Sequence, residues 1–182
     1  MKSISILFVL FFVSQFIWAQ EWPKEITPQV LQKIKSEVEK QVPAFRQKLA
    51  AKGFNADQVE FSIDTFRIER IAEGRIDIDY STAGMNTAVA ESAEAYDKLL
   101  NKYYNKLLKL LKPEDKKELV AAQKAWMVYR DAEAKLIWTM TKEEYSGGGS
   151  MQTNIANGAY AALVERRTVE LFNYYDEVIK EK

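Results

Sequence analysis

The residues of this chain best suited to chemistry share one face of a predicted helix. Gln123, Trp126 and Arg130 follow one another at spacings of three and four residues. An α-helix therefore turns their amide, indole and guanidinium groups to the same side. Such a face either satisfies its own polar groups inside a helical core or recognises a ligand.

Charged residues on or beside the predicted apolar stripes enlarge this group. An unpaired charge in such a place is costly, so each charge needs a partner. These charged residues are two acids and two bases: Asp97, Glu133, Arg130 and Arg167. Because their charges balance, we predict a structural network of salt bridges and hydrogen bonds between helices. The alternative is a pocket for a small anionic or sugar ligand, with Arg130 and Arg167 as donors. The complete polar cluster is Asp97, Asn101, Gln123, Trp126, Arg130, Glu133 and Arg167.

Missing residue types exclude most catalytic machinery. The chain has no Cys and no His, which rules out Cys-His, Ser-His-Asp and HExxH chemistry as well as thiolate zinc sites. Asp97 and Glu133 offer two carboxylates, but nothing in the sequence singles them out as a glycosidase pair. Asp77 and Asp79 resemble the start of a calcium-binding EF-hand loop, yet Thr82 takes the place of the required glycine. We therefore predict no enzymatic activity, no metal and no cofactor.

The first nineteen residues are predicted to be a signal peptide. Lys2 supplies a positive start, the run from Ile4 to Trp18 is almost wholly apolar, and Ala19 is a small residue suited to cleavage. This run is shorter than the roughly 20 apolar residues that a membrane span needs, which disfavours an uncleaved anchor. We expect an exported protein, periplasmic or secreted, without membrane insertion after cleavage.

Residues 20–182 have the size of one domain with one core. Without Lys2, this part has one basic side chain fewer than its 26 acidic ones. Nucleic acid binding needs a basic surface, so a nucleic acid partner is disfavoured. The same balance disfavours a role on a membrane surface.

The N-terminal half predicts two helices. Thr27 and Pro28 suit an N-cap and a first helical position, and Gly53 suits a C-terminal cap. Pro43 lies inside the first helix and should kink it or split it into two. The near-heptad apolar stripe could pair with another chain, although packing on the chain's own core is preferred. This stripe consists of Leu31, Ile34, Val38, Val42, Phe45 and Leu49.

The second helix is predicted to start at a capping box. Asn55 and Gln58 have the spacing of that motif, and Gly74 should break the helix. Residues 75–81 alternate Ile or Tyr with Asp, which predicts a short extended segment.

The C-terminal half predicts further helices, beginning at Thr87. Pro113 marks a turn and the start of a helix, and Gly147-Gly148-Gly149 forms a flexible loop before the last helix. Short connections favour antiparallel neighbours, so we predict an all-α fold: a small antiparallel helical bundle of four to five helices with an extra N-terminal helical region. The face predicted for the helix after Pro113 consists of Leu119, Ala122, Trp126, Tyr129, Glu133, Leu136 and Met140.

Short motifs occur in a characteristic order along this half. They are Met85-Asn86, Tyr96-Asp97, Leu100-Asn101, Tyr104, Leu107 to Leu111, Gln123-x-x-Trp126, Tyr129-Arg130-Asp131-Ala132-Glu133, Gly148 to Ser150 and Arg167-Thr168-x-x-Leu171. With these elements the chain resembles the lysozyme inhibitor LprI-like N-terminal domain family. The resemblance implies a helical domain at 85–178, preceded by a separate helical region at 20–84.

The chain departs from this family at three positions. Family members usually carry Cys where this chain has Ala88, Ala134 and Ala159. The resemblance implies that positions 134 and 159 face each other between the last two helices. Packed small side chains must then replace a disulfide that typically contributes a few kcal/mol.

The resemblance also carries the functional prediction. It implies an exported, all-α protein without known catalytic residues, and some members of the family are thought to bind and inhibit lysozyme. We therefore predict an exported, non-enzymatic binding protein that inhibits a lysozyme-type muramidase by protein–protein contact. The alternative is an envelope protein, structural or small-ligand-binding, that does not inhibit lysozyme.

One loop is the candidate partner-binding site. Glu143, Glu144 and Tyr145 stand next to the mobile glycine run and form an acidic projection that carries an aromatic ring. Lysozymes are commonly basic with an open sugar cleft, so charge attraction favours an encounter with this loop.

Overall fold

Six α-helices make up nearly all of the described structure. The computed structural model describes residues 22–180, and within that range it contains no strand. The helices are α1 (Pro28–Ala51), α2 (Ala56–Ile76), α3 (Thr82–Leu110), α4 (Lys116–Met140), α5 (Glu143–Ser146) and α6 (Met151–Lys180). The predicted all-α fold class is confirmed. The predicted signal peptide, residues 1–19, lies outside the described residues.

Side-chain caps set the starts of the first three helices. Thr27 Oγ1 accepts a hydrogen bond of 3.3 Å from the Val30 amide, and Pro28 follows it at the first helical position. The predicted capping box is present, because the Asn55 side chain and the Gln58 side chain each accept from the other's backbone amide. Ser81 Oγ caps α3 by accepting from the Gly84 amide at 3.0 Å. Such caps satisfy amides that have no partner within the helix.

The break predicted at Gly74 and the extended segment predicted at 75–81 are wrong. Helix α2 continues through Gly74 to Ile76, a turn follows, and α3 starts at Thr82 rather than at Thr87. Gly74 serves a close helix contact: a Cβ atom there would lie 3.0 Å from Cγ2 of Ile34 on α1. Glycine is therefore placed here by packing and not by a turn.

Two proline expectations also change. Helix α1 is not split at Pro43, because the helix runs unbroken from Pro28 to Ala51. Pro43 is exposed, and the kink that the sequence also allowed stays a prediction. Pro113 lies in a turn, and α4 begins three residues later at Lys116.

The main core forms where α2, α3 and α6 meet. The rings of Phe61 and Phe172 stack at 3.9 Å, and Tyr103 packs edge-on against both at 5.3 and 5.0 Å. Tyr103 is fully buried. Helix α2, from the region expected to precede the LprI-like domain, thus shares one core with α3 and α6.

A second apolar cluster joins α1 to α2. It buries Val42 and Leu49 against Val59 and Ile63. The near-heptad stripe of α1 is therefore covered by the chain's own second helix, as the preferred interpretation of that stripe expected.

Charged side chains tie α2 to α3 along one flank. Lys102 Nζ lies 2.6 Å from the Asp64 carboxylate and 2.9 Å from that of Glu60. Lys106 Nζ lies 2.7 Å from the Glu60 carboxylate and 2.9 Å from that of Asp57. Each lysine contacts two acids, and the shared Glu60 joins these contacts into a continuous ladder rather than isolated pairs.

Helix α4 is only partly packed. Within α4, all of which is described, Leu119 and Gln123 are the buried residues. Among the other helices, α6 is the one that it contacts most. The inward face predicted for α4 therefore ends early, because Tyr129, Leu136 and Met140 are each about half exposed.

No helix in residues 22–180 combines the length and apolar composition needed to cross a bilayer.

Residues 134 and 159, which the family resemblance places face to face, are both half-buried. Their proximity stays a prediction.

Candidate functional site on helices α3, α4 and α6

Trp126 lies at the edge of the main core, within reach of two guanidinium groups. Arg130 Cζ, from the next turn of α4, is 5.4 Å from the centroid of the Trp126 ring. Arg167 Cζ, from α6, is 6.0 Å from the same centroid. Cation–π attraction at this range contributes about 0.5–2 kcal/mol, and more as the site is dried. Tertiary packing thus brings three members of the predicted polar cluster together.

Arg167 links α6 to α4 from a buried position. Its Nε atom donates to Oε1 of Gln123 at 3.1 Å, and its Nη1 atom donates to a carboxylate oxygen of Glu170 at 3.0 Å. Both Arg167 and Gln123 are buried. Glu170, one turn along α6, therefore balances the positive charge of Arg167. The hydrogen bond to Gln123 on α4 fixes the orientation of the guanidinium group.

Arg130 takes its counter-ion from the adjacent residue. Its Nε and Nη2 atoms donate to one carboxylate oxygen of Asp131 at 2.9 and 2.7 Å. Burial works against the charged form, but the hydrogen bonds to Asp131 and the nearby Asp97 carboxylate raise the pKa of Arg130. Arg130 thus stays cationic at the mouth of a cleft.

The remaining cluster members form contacts of their own, although the Asp97 carboxylate lies near enough to Arg130 to raise its pKa. Asn101 Nδ2 donates to the Asp97 carboxylate at 3.1 Å and to the Asp97 carbonyl at 2.8 Å, both within α3. Glu133 is half-buried. The ion pairs of Arg130 and Arg167 are made with Asp131 and Glu170, on their own helices, and the interhelical contacts are the Arg167–Gln123 hydrogen bond and the approach to Trp126.

A cleft of about 540 Å³ opens between α3, α4 and α6 next to Arg130. Asp97 and Arg130 face it from two of the helices, whereas Arg167 does not line it. Ala90, Ala93 and Val164 supply apolar surface. The polar groups lining it are Glu94, Asp97, Lys98, Arg130, Asn157 and Tyr160.

The cleft has the character of a binding site for a small polar molecule. Two carboxylates, two cations, an amide and a phenol outnumber the three apolar residues of the wall, so the lining is more polar than that of most small-molecule sites and suits a charged or sugar ligand. Asn157 is already oriented, since its Nδ2 donates to Oδ1 of Asn86 at 2.8 Å. Among residues 22–180, no group of three or more Asp or Glu side chains is arranged to hold a metal ion.

The candidate partner-binding loop forms the single-turn helix α5. Glu143, Glu144 and Tyr145 are all exposed, Tyr145 by 58 %. The three glycines that follow α5 adopt the left-handed backbone conformation that favours glycine. Gly147, Gly148 and Gly149 have φ of 76°, 76° and 95°. Ser146 Oγ donates to the Thr141 carbonyl at 2.9 Å, and it accepts from the Gly148 amide at 3.1 Å. The projection is therefore a formed turn at the end of α4.

Sequence reasoning missed part of the cleft. Glu94 lies one turn before Asp97 on α3, and Lys98 lies one turn after Glu94, so helical spacing would have led from Asp97 to Glu94 and from Glu94 to Lys98. Asn157 and Tyr160 form an i, i+3 pair on α6, but only tertiary packing brings that pair to α3 and α4.

Comparison with known proteins identifies a family. The family model described as lysozyme inhibitor LprI matches residues 77–171, which include α3, α4, α5 and most of α6. Neither the curated proteins nor the solved structures gave a match. The matched stretch covers just over half of the chain and contains both the cleft and the α5 projection. The chain belongs to the lysozyme inhibitor LprI family.

Proposed function

We propose that this chain is an exported, non-enzymatic protein that inhibits a lysozyme-type muramidase by protein contact. The observation that carries the proposal is the family match over residues 77–171. The absence of Cys and His from the sequence supports the non-enzymatic part. Residues 1–19 support export, because Lys2 gives this segment a positive charge ahead of an apolar run, as in a signal peptide.

The α5 projection is the proposed contact with the lysozyme. Two exposed carboxylates, Glu143 and Glu144, precede a largely exposed aromatic ring, Tyr145. Carboxylates attract a basic partner over about one Debye length, roughly 8–10 Å. Tyrosine is enriched among the residues that dominate interface energies, because its ring buries a large area at low entropic cost. The loop thus combines steering with an anchor.

A cell-wall-lysis assay with purified mature protein tests the proposal. Inhibition at micromolar protein against at least one lysozyme type is expected. The combined replacement Glu143→Ala, Glu144→Ala and Tyr145→Ala should weaken inhibition severalfold. Salt should weaken inhibition by the unmodified protein, because it screens the two carboxylates.

The matched control removes two acids and one aromatic ring at the other end of α4. Glu114, Asp115 and Tyr174 are exposed, and Asp115 makes no side-chain cap bond. Their combined replacement by Ala should leave inhibition unchanged. No inhibition of any lysozyme type would reject the proposed function, whereas inhibition that survives the α5 replacements would reject only the contact site.

The cleft favours a second candidate function, an envelope protein that binds a small anionic or sugar ligand without inhibiting lysozyme. Its carrying observation is the convergence of Asp97, Lys98, Arg130 and Asn157 on one space of about 540 Å³. Calorimetric titration with inorganic phosphate and with a soluble N-acetylglucosamine oligosaccharide tests this function. Binding that is lost in Arg130→Ala but kept in Lys124→Ala, an exposed cation on the same helix, would support it.

A further inference from the structure

An apolar stripe on α4 is left about half uncovered by the rest of the described chain. Tyr129, Leu136 and Met140 are 49, 52 and 51 % exposed. Ala122, Ala125 and Ala132 are also exposed. The α4 stripe, as we call these six residues, follows the spacing of three and four that defines a coiled-coil seam.

Large and small side chains alternate along the α4 stripe. When a second α4 helix runs antiparallel with Tyr129 opposite Ala132, Leu136 falls opposite Ala125. Met140 then falls beside Ala122. Each bulky side chain thus meets an alanine of the other helix, and every such contact occurs twice. A surface that complements itself in this way suits a two-fold symmetric pair.

We propose that two copies of this chain pair through the α4 stripe in an antiparallel, two-fold symmetric arrangement. Ends of opposite charge support this orientation. Glu118 extends the stripe at its amino end, and Lys142 follows its carboxyl end; both are exposed. Antiparallel pairing brings Glu118 of one copy near Lys142 of the other, at both ends of the interface.

The size of the stripe sets the strength of the pair. The stripe exposes about half of each of three large side chains together with three alanines, so the pair buries less than the ~800 Å² per partner of a standard stable interface. A dissociation constant in the micromolar range is therefore expected. The other heptad-like surface of the chain does not compete, since α1 buries Ile34, Val38 and Val42 within its own fold.

The pairing does not depend on lysozyme inhibition. The α4 stripe ends at Met140, before Glu143, so the two α5 projections emerge at opposite ends of the pair. Loss of the pair and loss of inhibition can therefore be measured separately.

Sedimentation of the mature protein from 1 µM to 1 mM tests the pairing. A dimer should form in the micromolar range, and Leu136→Lys should weaken it at least tenfold without changing the circular dichroism spectrum. Phe54→Lys is the control, because Phe54 is an exposed apolar residue on the α1–α2 connection. A monomer up to 1 mM, or a dimer that is insensitive to Leu136→Lys, would overturn the proposal.

Because the chain has no Cys, single introduced thiols can read out the orientation. A mixture of Ala125→Cys and Leu136→Cys should form a disulfide-linked pair under mild oxidation, since disulfides need Cβ atoms about 3.5–4.5 Å apart. Each variant alone should stay unlinked. Linking of each variant to itself, with no mixed pair in the mixture, would indicate parallel pairing and reject the antiparallel arrangement.

Discussion

Arg167 on α6 donates a 3.1 Å hydrogen bond from Nε to Oε1 of Gln123 on α4, and both side chains are buried. This bond joins the partly packed α4 to the helix that supports it. Gln123 and Arg167 each belong to a motif on which the family resemblance rests, but the two residues lie 44 positions apart in the sequence. Together with the packing of Leu119 and Trp126 on the main core, the contact holds α4 in place although few of its side chains are buried.

Replacing Gln123 by Leu should destabilise the protein by about 1–3 kcal/mol, because Arg167 Nε would be left buried without an acceptor. Urea unfolding followed by circular dichroism measures the change. Lys124→Leu, at the exposed neighbouring position, is the control and should stay within about 0.5 kcal/mol. An unchanged free energy of unfolding in Gln123→Leu would mean that water replaces the amide oxygen as the acceptor for Arg167 Nε.

Trp126→Ala should cost about 2–4 kcal/mol, because the ring is half-buried against the main core and the loss should lie near the lower end of values for buried aromatic residues. It also removes a shared cation–π partner of Arg130 and Arg167. Unfolding with Val128→Ala as the exposed control, 72 % accessible, checks this. A loss below about 0.5 kcal/mol, the size of a surface substitution, would contradict the packing of Trp126.

Acid should destabilise the protein through the α2–α3 ladder. Hydrogen bonds from Lys106 and Lys102 hold the pKa of Glu60 below its ordinary value of 4.5. A carboxylate with a depressed folded-state pKa contributes stability that is present above its unfolded pKa and is lost as the pH falls through the folded pKa. Stability should therefore fall below about pH 4.5, and Glu60→Gln should make this fall shallower. Urea midpoints from pH 3 to 7 test it, with exposed Glu114→Gln as the control; an unchanged acid profile would contradict the role of Glu60.

Tyr103→Phe should leave the stability unchanged or raise it by about 1 kcal/mol at neutral pH. The Tyr103 hydroxyl is buried without a hydrogen-bond partner among the described residues, so its removal loses no bond. Burial raises the pKa of Tyr103, with the carboxylates of Glu60 and Asp64 adding to the shift. A raised folded-state pKa gives stability that is present below the ordinary tyrosine pKa of 10.0 and is lost as the pH rises above it.

The alkaline limb is the second readout of that variant. Thermal unfolding between pH 8 and 11 should show a smaller loss for Tyr103→Phe than for the unmodified chain. Tyr145→Phe is the matched control, since Tyr145 is exposed. A Tyr103→Phe protein destabilised by more than about 1 kcal/mol would show that the hydroxyl has a bound partner.

Local signals allowed the helix starts to be predicted. Thr27 and Asn55 cap their helices through bonds that span three residues, so everything required is written in a short stretch of sequence. Gly74 had the opposite outcome. Its local signal is a helix break, but its role is to admit Ile34 of α1, a contact between residues 40 positions apart that no local pattern contains.

The candidate site divides in the same way. The spacing of Gln123, Trp126 and Arg130 is enough to place these residues on one side of a helix. Their partners come from other helices: Arg167 reaches Gln123 and Trp126 from α6, and Asp97 reaches the cleft of Arg130 from α3. Periodicity also assigned Tyr129, Leu136 and Met140 to an inward face, yet all three are about half exposed.

By itself, the sequence determined the helical class, the caps that start the helices, the family resemblance and the lack of Cys and His chemistry, because each of these depends on residue types or on spacings within one helix. Tertiary structure alone decided which stripe is covered and which is left open. An apolar stripe specifies only that one face of a helix is stabilised by burial against another surface. Whether α1 finds α2, or α4 is left half uncovered beside α6, depends on how all the helices pack together, and that choice involves residues far apart in the chain.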